Sequence, residues 1–555
     1  MAQEHDSSDV SFNFSFLKKA NWTIVLIVAF ILLGIYLRSY HLDFPAIGYH
    51  NMKENEYLDQ AVFFEEKGDF LHKQAFAFYG FDETTGYHEE YGQMPLVPYM
   101  ILVLWKIFGE SLWIARVLMI AFFMAAVLMT YYLVKRVSNN EFISLVSTGL
   151  MAVMPLGIFF GRNIQPEPPA LFFSLLSLYF YFRWIDDKNN KDIFYATLFL
   201  GIAGLFKYTF MIFAVPILFV FPYAEFYALF KKEKKKALDA IKQGVFGFIP
   251  FALGVLVYEF LTIVDPSKKS YDVEPFRVFT GAYWDARMPI IVSFIRDNYT
   301  LWFFFIAVIG IIFASMKFKS RFGKFMIGYT VAIVPYLLMI SSKFAGHSYY
   351  QMPFLPLICI ASAYAFYVVG SVLKSSLKNP YALFIPLLLI IFIVPDMQAA
   401  NDRVFGTVFY GQDFLGEYLK TRLQPEERFS AFTSSQDLAT CSYSRHRCGF
   451  VSSLEEFKHK EDVFDLRYVY VGVTDLNNLV NSQDELWKYI RANYGIDLVG
   501  LLPAGGQLAP THIILKRGYP FDFTEIQGKQ PQLAKTYDMK QGPVQYYYIQ
   551  NIRLQ

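Results

Sequence analysis

Eleven apolar runs, each close to the length that crosses a bilayer, recur between residues 22 and 396. A hydrocarbon core roughly 30 Å thick needs about 20 apolar residues in a helix. The runs at 22–40, 112–134, 142–160, 168–184, 192–206, 208–226, 244–263, 300–316, 324–341, 353–373 and 381–396 fit that length. Hydrophobic residues make up 55% of the chain and aromatics 19%, a surface that would aggregate in water and is at home in lipid. The net charge of +2 gives nucleic acid no electrostatic footing.

Where the charge sits is more informative than its sum. Lys18/Lys19, Lys135/Arg136, Arg183/Lys188/Lys191, the run KKEKKK at 231–236, Lys317/Lys319/Arg321/Lys324 and Lys374/Lys378 fall at every second junction. The positive-inside rule places these junctions in the cytoplasm, with the N-terminus inside and the C-terminus outside. The apolar segment 95–108 breaks that alternation if it crosses, so it reads as an interfacial helix anchored by Trp105 and Lys106. The N-terminal tail is too long and acidic for a signal-peptide n-region, and the first span is expected to remain as an anchor.

The expected division is a cytoplasmic tail (1–21), a transmembrane domain (22–396) whose first outer loop (41–111) carries interfacial helices, and an extracytoplasmic α/β domain (397–555). In the last part, strand-like runs at 428–432, 467–473 and 512–515 alternate with helix-like stretches at 414–423 and 482–494. Cys441 and Cys448, seven apart and outside the membrane by this topology, are expected to form a disulfide. Cys359, within a span, reads as a small core hydrophobe.

Ionisable side chains gather at the outward links. Residues 48–57 read GYHNMKENEY, directly after the first span, with His50, Lys53, Glu54, Glu56 and Tyr57. A short amphipathic helix resting on the bilayer is expected here, with Glu54 and Tyr57 on one face. Further along the same loop stands YHEEYGQMP, with Glu90. The next outward links carry Arg162 and Glu167 (FGRNIQPEPPALFF), Lys207 (GLFKYTF), the loop 265–298, and then Lys343, His347, Tyr349 and Tyr350 (KFAGHSYYQMPFLP). Charges in such places are costly unless they face water or a charged ligand. A lipid phosphate needs cations near the headgroup region, which Arg162, Lys207 and Lys343 supply. A hydroxyl acceptor needs a carboxylate to take its proton, for which Glu54, Glu56 and Glu90 are the candidates. His50, Lys53, Tyr57, Glu167, His347 and Tyr349 are candidate substrate contacts. Glu54, Glu90, Glu167, His50 and His88 have the donor types for a divalent metal, whose presence is left open. Each has a plain alternative: Glu54 and Glu167 as helix-start acids, Arg162 and Lys207 as snorkelling cations.

The order of these pieces resembles the integral-membrane glycosyltransferases of the GT-C superfamily, in particular the dolichyl-phosphate-mannose protein mannosyltransferase and aminoarabinose transferase group. The resemblance covers residues 20–400. It rests on the acidic motif ending at Tyr57 and Ala61, Gly68-Asp69, Pro95-Leu96, Phe108-Gly109, Arg116, Pro155, Arg162 to Glu167, and the HxYYxxPxxP pattern from His347 to Pro356. It implies a GT-C fold and an inverting transfer of a hexose or pentose from a polyprenyl phosphate or diphosphate to a protein, lipid or glycan, on the outer face of the cytoplasmic (plasma or inner) membrane. In the family the first loop opens with Asp-Glu, the Asp commonly acting as base; here Lys53 holds that Asp position, and Glu54 becomes the first candidate. The rival readings are a transporter or flippase of lipid-linked sugars, or a homologue that has lost its catalysis.

Overall fold

In the computed structural model, residues 21–71, 73–76, 94–264, 279–434 and 438–551 are described. The helices in chain order are α1 (Trp22–Arg38), α2 (Asn51–Lys67), α3 (Leu96–Phe108), α4 (Leu112–Ser138), α5 (Glu141–Val153), α6 (Pro155–Phe160), α7 (Glu167–Asp187), α8 (Asn190–Phe206), α9 (Ala214–Val220), α10 (Tyr223–Lys232), α11 (Lys234–Val264), α12 (Gly281–Asp285), α13 (Met288–Tyr299), α14 (Leu301–Ser315), α15 (Arg321–Val331), α16 (Ile333–Gly346), α17 (Leu355–Leu377) and α18 (Val394–Asp402). Three 3-10 segments, Tyr208–Phe213, Ser348–Phe354 and Pro380–Ile393, join some of them. Every one of the eleven apolar runs falls on helix. The chain is a multi-pass membrane protein: among the described residues five helices are long and apolar enough to cross a bilayer, or seven if two bent pairs each count as one.

Three of the basic junctions share one local device. At each, a residue with positive φ (Asn139, Lys188, Lys378) ends one helix, and an asparagine directly after it (Asn140, Asn189, Asn379) caps the next. The asparagine side chains accept from the backbone N–H of Ile143, Lys191 and Tyr381. Two residues thus reverse the chain and satisfy a helix start that would otherwise expose unpaired donors.

The opposite ends of the helices are built differently. Lys207 and His347 are both extended residues that stop a helix and start a 3-10 segment. In each case the N–H three residues on bonds back to the carbonyl of the break, Phe210 to Lys207 and Tyr350 to His347. These breaks put polar backbone and a charged or aromatic side chain where an unbroken span would carry only apolar surface.

Several local expectations are corrected. The helix after the first span runs 17 residues and is buried on most sides rather than resting on lipid. Segment 95–108 does form a helix of 13 residues, about 20 Å long and too short to cross. Its Trp105, however, is no interfacial anchor: the ring is buried and its indole N–H donates to the Ser111 carbonyl at 3.0 Å. Lys106 pairs with Glu65. Within the expected loop 265–298 lie α12 and α13, and α13 meets α14 at a 92° bend. The residue at that bend is Thr300, with φ of 56°, whose hydroxyl accepts from the Phe303 N–H.

The last part holds a seven-stranded mixed sheet of order β2-β1-β3-β5-β4-β7-β6. Its strands are β1 (Phe429–Phe432), β2 (Cys448–Gly449), β3 (Tyr468–Val471), β4 (Tyr494–Ala504), β5 (Gln507–Arg517), β6 (Gln532–Tyr537) and β7 (Val544–Gln550). The first three pair in parallel and the rest antiparallel. Gly505 and Gly506, both at positive φ, make the two-residue turn of the long β4–β5 hairpin. The helix α18 continues through 397, so chain passes from the transmembrane part into this domain without a break in helix.

Cys441 and Cys448 are joined as a disulfide. The segment it closes carries several of the contacts between this domain and residues 41–111, alongside the Lys67–Glu426 pair. Ser442 donates to Asp59 at 2.8 Å, the Ala46 N–H donates to the Tyr443 hydroxyl at 2.9 Å, and Arg447 donates to Gln74 at 3.0 Å. Arg445 pairs with Glu110 and, at 3.6 Å, with Glu66. The sheet domain therefore grips α2. Cys359 is free and buried in its span.

Candidate functional site

Two groups of ionisable side chains meet beneath α2, and its rotation separates them. On one side Glu54 is locked by Arg116 of α4. The guanidinium Nε donates to Glu54 Oε1 at 3.2 Å and Nη2 to Oε2 at 2.6 Å, while Nη1 donates to the carbonyls of Leu42 and Phe44 at 2.8 and 2.6 Å. The Ile164 N–H donates to Glu54 Oε1 as well, at 3.2 Å. Burial alone would raise the Glu54 carboxyl, but Arg116, Arg162 and the Ile164 N–H outweigh it and hold it below the ordinary range. Arg162 belongs to the same network. It donates to the carbonyls of Tyr40 and His41, and burial, followed by the nearby Arg116 charge, lowers it to about 9. Glu54, Arg116 and Arg162 tie the exit of α1, the start of α2 and the α6–α7 link together.

The second group is the one with open chemistry. Glu167 at the start of α7 is 1% exposed and pairs with Lys207 at the end of α8. The Lys207 ammonium also lies 4.1 Å from the Tyr350 ring centre and 4.7 Å from that of Tyr349, a cation–π arrangement. Glu167 Oε2 is buried without a hydrogen-bond partner among the described residues. An unmet acceptor next to a buried cation is expensive in a protein interior.

Above this pair stand two imidazoles. His50 packs 4.8 Å from Tyr349 and 5.5 Å from Phe160, and shares a 3.2 Å hydrogen bond with Gln165. It caps α2 in the left-handed region, φ 71°, a strained position that only its surroundings maintain. His347 stacks on Tyr349 at 5.3 Å. Burial lowers His50 to about 3 and His347 to about 4, and the ammonium of Lys53 adds to both. Lys53 pairs at 2.6 Å with Glu56, which is 3% exposed. Tyr57 is buried within electrostatic range of Tyr349. Lys343, exposed one turn before His347, makes no ion pair among the described residues.

The structure thus brings together His50, Lys53, Glu56, Tyr57, Glu167, Lys207, His347 and Tyr349, with Lys343 at the rim. It sets Glu54 and Arg162 in the adjoining network. His88 and Glu90 lie outside the described residues. Among the described residues no three His, Cys, Asp or Glu side chains converge as a metal site. Sequence reasoning gave no role to Arg116, Gln165 or Tyr350. A basic residue inside an otherwise apolar run was the available signal for Arg116.

An apolar cavity of about 350 Å³ is lined not by these side chains but by neighbours of theirs in the chain. Its walls come from α13 (Ile291, Ile295), α14 (Phe304), α16 (Phe344), the 3-10 segment that carries Tyr349 and Tyr350 (Gln351) and α17 (Leu357). The charged group and the apolar cavity share the segment following His347.

Residues 92–258 match the family model described as dolichyl-phosphate-mannose-protein mannosyltransferase. No curated protein sequence matches the chain significantly. Among solved structures, the apo oligosaccharyltransferase of Archaeoglobus fulgidus superposes with a TM-score of 0.56 at 12% identity, covering 89% of this chain and 75% of that one. The same archaeal enzyme, AglB, in complex with an inhibitory peptide and a dolichol-phosphate gives 0.54 at 13% identity, over 90% and 75%. Apo ArnT from Cupriavidus metallidurans gives 0.51 at 12% identity, over 90% and 98%. The fold is that of the GT-C membrane glycosyltransferases.

Proposed function

We propose that the protein is an inverting glycosyltransferase that takes a sugar from a polyprenyl-phosphate carrier at the outer face of the cytoplasmic membrane. The observation that carries this reading is the buried Lys207–Glu167 pair under Tyr349 and Tyr350, placed beside an apolar cavity. A buried cation with an apolar space nearby suits a phosphate on a long hydrocarbon chain. The dolichol-phosphate bound by the archaeal neighbour agrees with this choice of donor.

In this reading the last isoprene units occupy the cavity behind α13, and Lys207, with Lys343 at the rim, holds the phosphate. The acceptor hydroxyl attacks the anomeric carbon. As that C–O bond forms, the bond from the anomeric carbon to the phosphate oxygen breaks, and its electron pair leaves on the phosphate facing Lys207. The hydroxyl proton goes to a carboxylate. Glu54 is poorly suited, because both its oxygens already accept charged or backbone donors and a carboxyl held low is a weak base. Glu56 takes the role here, with one oxygen held by Lys53 and the other assigned to the acceptor hydroxyl; Glu54 positions α2. The imidazoles of His50 and His347 remain available as hydrogen-bond partners for sugar hydroxyls. The C-terminal domain lies outside the membrane and holds α2 in place.

The test is transfer of a labelled sugar from polyprenyl phosphate by purified protein in detergent. Glu56→Gln should lower turnover by roughly 10²–10⁴ while donor binding is retained. Full turnover in Glu56→Gln would refute the assignment of the base, and donor binding without any transfer by the wild type would refute the enzyme.

A further inference from the structure

A second pocket, of about 220 Å³ and lined by both aromatic and polar side chains, lies on the other face of α13. Its lining includes Tyr49, Phe294, Asp297, Ser348, Arg403 and Thr407. It shares a wall with the reaction cluster, since Tyr49 precedes His50 and Ser348 stands between His347 and Tyr349. The two faces of α13 differ in chemistry. Ile291, Ile295 and Tyr299 face the apolar cavity, whereas Phe294 and Asp297 face this pocket.

We propose that this pocket binds the acceptor, and that the acceptor is a carbohydrate presenting one sugar ring. The inference rests on the glycosyltransferase reading above and names its second substrate. Three features carry it. The Tyr49 ring is 38% exposed, and its electron-rich face suits the C–H face of a pyranose or furanose. Around that ring stand the Asp297 carboxylate, the Arg403 guanidinium and the Ser348 and Thr407 hydroxyls, a mixture of acceptors and donors that answers adjacent hydroxyl groups. Arg403 is held in place by Asn298 and by the Asp297 carbonyl, so its fork is preorganised. The volume is below the roughly 300–1,000 Å³ of sites for larger ligands and suits a single ring. An extended peptide needs a groove longer than this cup. The position also fits the reaction: a hydroxyl of a sugar seated on Tyr49 approaches past His50 and His347, while the phosphate departs toward Lys207.

Isothermal titration of the purified full-length protein with a panel of methyl hexosides and pentosides tests the proposal, with undecaprenyl phosphate titrated in parallel. At least one glycoside should bind saturably. Its affinity should fall at least tenfold in Tyr49→Ala and in Asp297→Asn and survive in Tyr49→Phe, which keeps the ring. Undecaprenyl phosphate affinity should be the same in all of these. In the transfer assay, Tyr49→Ala should raise the acceptor KM with little change in the donor KM. Three results would overturn the acceptor assignment: no glycoside binding, glycoside binding indifferent to both substitutions, or a Ser/Thr-bearing peptide binding in the glycoside's place and lost with Tyr49→Ala. Failure of the wild type to bind undecaprenyl phosphate would instead strike the donor reading, and the glycoside titration would stand as evidence for the sugar pocket alone.

Discussion

Arg116→Met should be among the most damaging single substitutions in this chain, because it strands the buried Glu54 carboxylate and frees the carbonyls of Leu42 and Phe44. Removing one partner of such a pair costs about 3–5 kcal/mol, and replacing both by apolar residues often costs far less. Thermal melting in detergent should therefore show Arg116→Met well below wild type, with the double variant Arg116→Met/Glu54→Met recovering much of the loss. A mild single variant would contradict the anchoring role. The histidines give a pH prediction. With His50 at about 3 and His347 at about 4, the rate of transfer should show no imidazole ionisation between pH 5 and 8. The sign for stability follows: the contribution of neutral His50 is complete above its unfolded value near 6.5 and is lost as pH falls toward 3. An inflection in rate near pH 6.5 that disappears in His347→Gln would contradict this environment. These residues differ in how legible they were. Lys207, Glu167 and His347 interrupt apolar runs, so their cost in lipid announces a use. Which of Glu54 and Glu56 is locked into an ion pair with α4 depends on how α2 is rotated, and Glu54's partner, Arg116, lies 62 positions away; no local spacing contains it.

At the level of elements, the spans were readable because apolar length is dictated by the bilayer, and every such run became helix. The breaks at Lys207 and His347 were readable only as interruptions; that both continue as 3-10 segments depends on tertiary packing around them. The tight junctions with Asn140, Asn189 and Asn379 had their signal in plain view, an asparagine after a residue able to take positive φ, in a basic link. The helix α13 was harder. Its apolar positions 288, 291 and 295 have helical spacing, but they sit in a long outer loop with no span-length run to mark them. The disulfide-closed segment between the short helix Ala439–Ser444 and β2 makes a prediction of its own. Replacing both Cys441 and Cys448 by Ser should destabilise the sheet domain by about 2–3 kcal/mol, through the lost loop constraint. Because Ser442, Tyr443, Arg445 and Arg447 all contact the first outer loop, the same variant should speed proteolysis within residues 41–76. Unchanged proteolysis there would show that the grip on α2 survives without the crosslink.

For the whole molecule, residues far apart in sequence meet in one cluster, and the apolar cavity and the smaller pocket lie on different faces of α13. The three asparagine-capped, basic junctions lie at the helix ends opposite the breaks that build the site, which agrees with the charge asymmetry read from the links. Cysteine-accessibility labelling in intact cells should find Lys343→Cys reactive from outside and Lys234→Cys protected; equal reactivity would overturn the topology. The most direct test of the central claim is native mass spectrometry of undecaprenyl phosphate bound to the wild type, to Lys343→Ala and to the charge-neutral pair Lys207→Met/Glu167→Gln, whose fold is checked by melting. The account predicts a one-to-one complex with wild type, weakened severalfold by Lys343→Ala and at least tenfold by the double variant. Equal retention of the lipid phosphate by all three proteins would contradict it.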